Sequence, residues 1–275
     1  MIQDIVVKLN TTQSRDPSLD YAVSVAEAFD AKLAGIAFRY EPVMVGGSAM
    51  EALPPDFIEQ QRVENERVAS DAVARFTKAA QKSGLTATPR VVNVSAEGAA
   101  NEFGRIARTF DLSVVAQADP DANAADEIFV ESALMDSGRP VIVVPYIQKT
   151  GLALKHAVIC WDGSRTAARA LADAMPFLER ARNIEILSIA KDKHHRGEGA
   201  AEAARHLARH GLKAEITHIV ADGDVANTIL SHVADAEADF LVLGGYGHSR
   251  LRELILGGVT RSILTSMTVP VLMSH

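Results

Sequence analysis

Cysteine is almost missing from this chain of 275 residues: Cys160 is the only one. That excludes an internal disulfide framework and any four-cysteine metal site, and it fits a reducing compartment. Aromatics are only 5% of residues, so the cores must be built from Ala, Val, Leu and Ile. Basic residues are outnumbered, 28 Lys and Arg against 35 Asp and Glu, for a net charge of −7. A chain without a basic block has little charge to match phosphate, which argues against general nucleic-acid binding. Long apolar runs are missing too. The longest, such as Val141–Val144 and Ala157–Trp161, are strand-sized, far from the roughly 20 residues of a membrane span. Met1-Ile2-Gln3-Asp4 carries no basic region leading into an apolar one, so no secretory signal is read. These absences predict a soluble, cytoplasmic protein with neither membrane nor nucleic acid as partner. Hydrophobic residues at 48% and charged residues at 23% describe an ordinary globular chain, and its length suits two domains.

Two stretches repeat one plan. Ser132-Ala-Leu-Met-Asp-Ser-Gly-Arg-Pro140 runs into Val141–Val144, and Ser262-Ile-Leu-Thr-Ser-Met-Thr-Val-Pro270 runs into Val271-Leu272-Met273, 130 residues later. Ala100-Asn101 after Gly98 is matched by Ala226-Asn227 after Gly223. The matches are collinear, as expected of a duplicated domain. The boundary falls in the polar link Tyr146–Lys155, giving units 1–147 and 152–275.

In the second unit, strands are expected at Ala157–Trp161, Ile184–Ile189, Ala214–Val220, Phe240–Leu243 and Val269–Met273. Helical patterns fill the gaps at Thr166–Arg180, Glu198–His210, Val225–Ala236 and Gly258–Ser266. In the first unit, Ile5–Leu9 opens and Leu112–Ala116 is a later strand. Gly84 and Gly211 stand where a helix would end in a left-handed cap. Short β-branched runs separated by helices predict α/β domains, each a five-stranded parallel sheet of order 3-2-1-4-5 covered on both faces. The first unit adds a Pro- and Gly-rich loop, Glu41–Pro55, which reads as a lid or interaction element or as a plain surface insertion. A long helix follows over Asp56–Ser83, with an apolar stripe of Phe57, Ile58, Val68, Ala69, Ala72, Val73, Phe76 and Ala80.

The most informative stretch is Leu241-Val-Leu-Gly244-Gly-Tyr-Gly247-His-Ser-Arg-Leu-Arg-Glu-Leu-Ile-Leu-Gly257-Gly258-Val-Thr260. A buried strand runs into Gly244, and a helix begins at Gly258. Glycine lets a ligand approach the backbone closely, and the free N–H groups of a helix start attract anions. With order 3-2-1-4-5, Asp162 after strand one and Gly244 after strand four flank the same switch-point crevice. No Gly-x4-Gly-Lys-[Ser/Thr] P-loop occurs, and Gly245-Tyr-Gly247 is followed by Arg250 where a dinucleotide fingerprint needs glycine.

Gly244-x2-Gly247-x9-Gly257, the Asp162-Gly163-Ser164 turn and the closing Thr268-Val-Pro270-Val-Leu-Met together resemble the universal stress protein family, in residue, spacing and order. The resemblance covers both halves in layout and the second in motif. It implies tandem Rossmann-like domains and, as in many members, bound ATP, sometimes with a divalent ion such as Mg. By resemblance Asp162 faces the ribose. Ile189 and Ala190 line the adenine, Gly244, Gly247, Gly257 and Gly258 hold phosphates, and Leu243 is a further nucleotide-binding residue. One position departs from the family pattern: Gly258 stands where the family has Ser or Thr. That leaves the N–H groups of Gly258 and Val259, and the hydroxyl of Thr260 two residues on. The alternative reading of the glycines is that they only make tight turns.

The first unit lacks this apparatus. Asn10 replaces Asp162, no glycine occurs between Ala116 and Gly138, and Asp119, Asp121, Asp126 and Glu127 would repel a triphosphate. It is expected to be a partner domain that has lost the pocket, packed on the second through the last strands of each half. Among other groups, His206 and His210 share a helix face near His194 and His195, but no carboxylate or cysteine completes a metal set. Cys160 reads as a core residue, and His248 and Ser249 are adjacent and cannot form a dyad. No catalytic residues are assigned; any ATP hydrolysis would be weak. The expected function is an ATP-binding regulatory or sensor protein in stress response, with a protein partner and a homodimer as further associations. The alternative is a protein-binding module of the same fold that needs no nucleotide.

Overall fold

The structure, a computed structural model, describes residues 1–11, 15–41, 54–118, 125–190, 199–221, 223–245 and 258–275. Most of the Glu41–Pro55 loop lies outside them. Strands β1 (Asp4–Lys8), β2 (Lys32–Tyr40), β3 (Ala87–Val94), β4 (Leu112–Ala116) and β5 (Val141–Val144) alternate with helices α1 (Pro17–Phe29), α2 (Pro55–Lys82), α3 (Ala99–Ala107) and α4 (Ala125–Asp136). The second half repeats the alternation with β6 (His156–Cys160), β7 (Asn183–Ala190), β8 (Glu215–Val220), β9 (Phe240–Gly244) and β10 (Val271–Ser274). Its helices are α5 (Arg165–Leu178), α6 (Ala200–Arg209), α7 (Val225–Asp235) and α8 (Gly258–Ser266).

Local chemistry explains the boundaries. The Asp16 carboxylate accepts from Leu19 N at 3.1 Å and starts α1 with Pro17 as its first residue. Ser164 Oγ caps α5 and Asp224 caps α7 in the same way. Gly84 and Gly211 take positive φ, 65° and 79°, where α2 and α6 end; a side chain is disfavoured in that region.

The ten strands of the described residues form one sheet of order β3-β2-β1-β4-β5-β10-β9-β6-β7-β8. Each half therefore has the order 3-2-1-4-5, as the sequence predicts. Every pairing is parallel except β5 with β10, where Ile142 faces Leu272, Val141 faces Met273 and Val143 faces Val271. The two closing strands thus meet head to tail about a pseudo-two-fold axis. Strands buried on both faces need cover on both. One core packs Tyr21, Phe76, Phe177 and Leu207 against the sheet. The other packs Phe103, Phe129, Ile229 and Ile263, and both cores run through both halves. The link between halves is drawn onto α1: Leu152 N donates to Ser24 Oγ at 2.7 Å. A Cβ at Gly151 would lie 2.5 Å from Ser24 Cβ.

Two expectations need correction. The apolar stripe of α2 is buried at Ala69, Ala72, Phe76 and Ala80, but Phe57 is 45% exposed. A 28-residue helix rises about 42 Å, whereas β2 and β3, of nine and eight residues, extend about 30 Å. The first turns of α2 therefore overrun the sheet. The last strand begins at Val271 rather than Val269, because Pro270 has no N–H for the ladder.

Candidate functional site

The chain leaves β6 through Trp161 into the Asp162-Gly163-Ser164 turn. Gly163 has φ of 74°, and Asp162 Oδ1 accepts from Ser164 N at 2.9 Å. This Asx turn holds the exposed Asp162 carboxylate at the carboxyl end of β6. Ile189 and Ala190 end β7, the next strand on one side. Leu243 and Gly244 end β9, the neighbour on the other. Three of the predicted positions, Asp162, Ala190 and Gly244, thus come to the same end of three adjacent parallel strands. Between β6 and β9 lies the switch point, where ligands of such sheets bind.

The glycines at the end of β9 have packing roles that sequence reasoning missed. A Cβ on Gly244 would sit 2.5 Å from Ala167 N and 2.6 Å from the Thr166 carbonyl carbon, so the first turn of α5 lies directly on the strand. A Cβ on Gly245 would sit 2.5 Å from Leu134 of α4. Gly258 is different. It is exposed at the start of α8, and among the described residues nothing lies within 4 Å of where a Cβ would be. Val259 is half-buried, and Thr260 is 6% exposed, on the core side of the helix. Gly247 and Gly257 lie outside the described residues, as do His194 and His195.

Trp161 borders this end of the sheet. Its backbone N donates to Leu187 O at 2.8 Å. Its indole Nε1 is buried with no acceptor among the described residues and lies 3.1 Å from the Cβ position of Gly199, whose φ is 87°. Burial, with the carboxylates of Asp162 and Glu185 adding to it, pushes the Cys160 thiol up to about 12. At neutral pH that thiol is uncharged and a poor nucleophile.

The corresponding end of the first half is occupied by its own side chains. By strand register Lys8 corresponds to Cys160 and Asn10 to Asp162. Lys8, 9% exposed in the last position of β1, places Nζ 2.5 Å from Asp126 Oδ1 and 4.8 Å from the centre of the Phe129 ring. Asn10 is buried; its N donates to Asp16 Oδ2 at 2.7 Å and its carbonyl accepts from Arg75 Nη2 at 2.6 Å. Asp119 and Asp121 lie outside the described residues. A lysine closing an apolar strand was the visible signal of this ion pair. The histidines singled out at the end of α6 do face each other, with His206 and His210 ring centres 4.8 Å apart. Among the described residues, however, no cluster of three or more His, Cys, Asp or Glu could hold a metal, and no helix is long and apolar enough to cross a membrane.

Residues 153–275 match the model of the universal stress protein family. This half of the chain is similar to the universal stress protein family. A universal stress protein of Synechocystis is 34% identical over 70 residues, covering 26% of this chain and 24% of that protein. Universal stress protein YxiE of Bacillus subtilis is 33% identical over 102 residues, 35% of this chain and 59% of that protein. The matches thus span between a quarter and three-fifths of these relatives. In fold the likeness extends over both halves. A universal stress protein from Archaeoglobus fulgidus superposes with a TM-score of 0.72 at 15% identity, covering 98% of this chain and 97% of that one. A functionally unknown protein from Pseudomonas aeruginosa PAO1 does so with a TM-score of 0.65 at 13% identity, covering 99% and 92%. At these identities the superpositions speak for the architecture alone.

Proposed function

We propose that this chain is a universal stress protein, an ATP-binding regulatory or sensor protein of the stress response, with the nucleotide held in the second half. The observation that carries the reading is the convergence of Asp162, Ala190 and Gly244 at the switch point between β6 and β9, within a half that matches the family. Asp162 would take the ribose, Ile189 and Ala190 the adenine, and Gly244, Gly247, Gly257, Gly258 and Val259 the phosphates, with Leu243 at the end of β9 also in the site. The exposed amino end of α8 supplies N–H groups and the positive end of a helix dipole. The inward position of Thr260 puts the weight on these backbone groups. We read residues 1–147 as a degenerate universal stress domain and 152–275 as the binding one, working in the cytoplasm and passing its state to a protein partner. No catalytic step is part of this reading.

A second reading, a protein-binding module that takes no nucleotide, is favoured by one observation: Gly244 and Gly245 each have a packing reason that involves no ligand. Calorimetric titration with ATP, with and without magnesium, separates the two. The first reading expects saturable binding that is lost in Gly247→Val, because a β-branched residue fills the approach and resists positive φ, while the melting curve is kept. Asp162→Ala should weaken binding by about 1–2 kcal/mol, the worth of a charged hydrogen bond. An absence of binding to the wild type, with both cations tried, leaves the second reading.

A further inference from the structure

The last turn of a helix leaves carbonyls with no partner inside it. In α8 the Ile263 carbonyl is taken by Met267 N at 2.8 Å. The next two are taken from the other half of the molecule: Gln117 Nε2 donates to Leu264 O at 2.9 Å and to Thr265 O at 3.0 Å, across 147 and 148 positions of sequence. Gln117 is 2% exposed and follows the last residue of β4. Its Oε1 accepts from Tyr146 N at 3.3 Å, so the amide is held at both ends and its orientation is set by its partners.

The equivalent position of the second half carries no such side chain. Gln117 N donates to Val144 O at 2.8 Å, and Gly245 N donates to Ser274 O at 2.8 Å. Gly245 is therefore the counterpart of Gln117 in the second half, and it has no side chain to return the bond. Leu134 of the first half instead fills the space where a Gly245 side chain would be. The first half thus meets both ends of the stretch that runs from Gly245 to the close of α8, through Leu134 and Gln117.

We propose that Gln117 is a positioning residue for the phosphate end of the nucleotide site: by capping α8 it fixes the helix whose amino terminus faces the phosphates. The inference rests on the nucleotide reading above. It gives the first half, whose own crevice is filled, a role in the site of the second.

The test compares ATP with adenosine, which lacks phosphates, on the wild type, Gln117→Met and Gln117→Glu. Met keeps the length and removes the donors. Glu keeps the shape and turns a carboxylate oxygen toward two carbonyls. Loss of a helix cap is expected to lower ATP affinity about fivefold in Gln117→Met and further in Gln117→Glu, with adenosine affinity unchanged in both. A role in stability alone would weaken both ligands in parallel or neither. Either result with a wild type that binds ATP overturns the positioning role and leaves the nucleotide reading standing. A wild type that binds adenosine and ATP equally, or neither, removes the phosphate contact itself, and the inference falls with it.

Discussion

Gly258 is the residue at which the second half departs from the universal stress protein motif it resembles, and it is also a glycine with room to be changed. Among the described residues nothing lies within 4 Å of its Cβ position, and its φ is outside the left-handed region. Gly258→Ser should therefore leave the melting temperature nearly unmoved, since exposed substitutions of this kind stay within about 0.5 kcal/mol. It should raise ATP affinity about fivefold by adding one hydroxyl hydrogen bond worth about 1 kcal/mol. Titration calorimetry on the serine variant checks both the direction and the site. Cys160 gives a second expectation. A thiol pushed from 9.0 up to about 12 stays protonated in the folded chain while the unfolded thiol ionises. Between those two values the folded state holds the extra proton, so stability from this group is present below pH 9 and is lost as pH rises toward 12. At pH 8.5 the native chain should react with a thiol reagent far more slowly than the urea-unfolded chain; equal rates would place Cys160 in the open. The positions of the glycines were legible in the sequence, because spacing is a sequence property. Their reasons were not. That Gly244 meets the backbone of α5 while Gly258 meets none of the described residues depends on which element lies over each, and only packing decides that.

Within single elements the same division holds. The limits of β4, β5 and α8 follow from apolar runs bounded by Pro140, Gly258 and Pro270, and they were read correctly. The overrun of α2 was not, because periodicity says which face is apolar and nothing about where the opposing sheet stops. Glu185 is a further case. Its place in the run Asn183-Ile-Glu-Ile-Leu-Ser-Ile marks a charge in a buried strand, but its partners lie far off in sequence. His232 Nε2 is 2.7 Å from Oε1, His156 Nε2 is 3.1 Å from Oε2, and His156 Nδ1 is 3.0 Å from the Ala236 carbonyl. One carboxylate, 6% exposed, thereby joins β6, β7 and α7 at the edge opposite the candidate site. Removing one member of a buried polar set strands the others. Glu185→Ala is expected to cost about 3 kcal/mol in urea unfolding, within the range for broken buried pairs. Glu185→Gln, which keeps an acceptor, should lose clearly less. If the two variants are equally stable, the histidines draw nothing from the carboxylate.

Over the whole molecule, the expected stoichiometry is one nucleotide per chain. The first half has its helix start and its strand ends in the same topological places, but Asp126 stands at the start of α4 beside Lys8, and Arg75 is bound to the Asn10 carbonyl. An internal anion already sits where a phosphate would have to go, and like charges there are unfavourable even with screening. Calorimetry returning two equivalent sites per chain would contradict this. The antiparallel joint of β5 with β10 has a consequence for how such a chain can vary. In a symmetric pair of identical subunits, every substitution is made twice, once on each side of the axis. Here the two sides are encoded separately, so a residue can be changed on one side alone. Lys8 can stand opposite Cys160 and Gln117 opposite Gly245, and a crevice can be closed on one side while the other stays open. A homodimer of either half could not do this without altering both its sites at once.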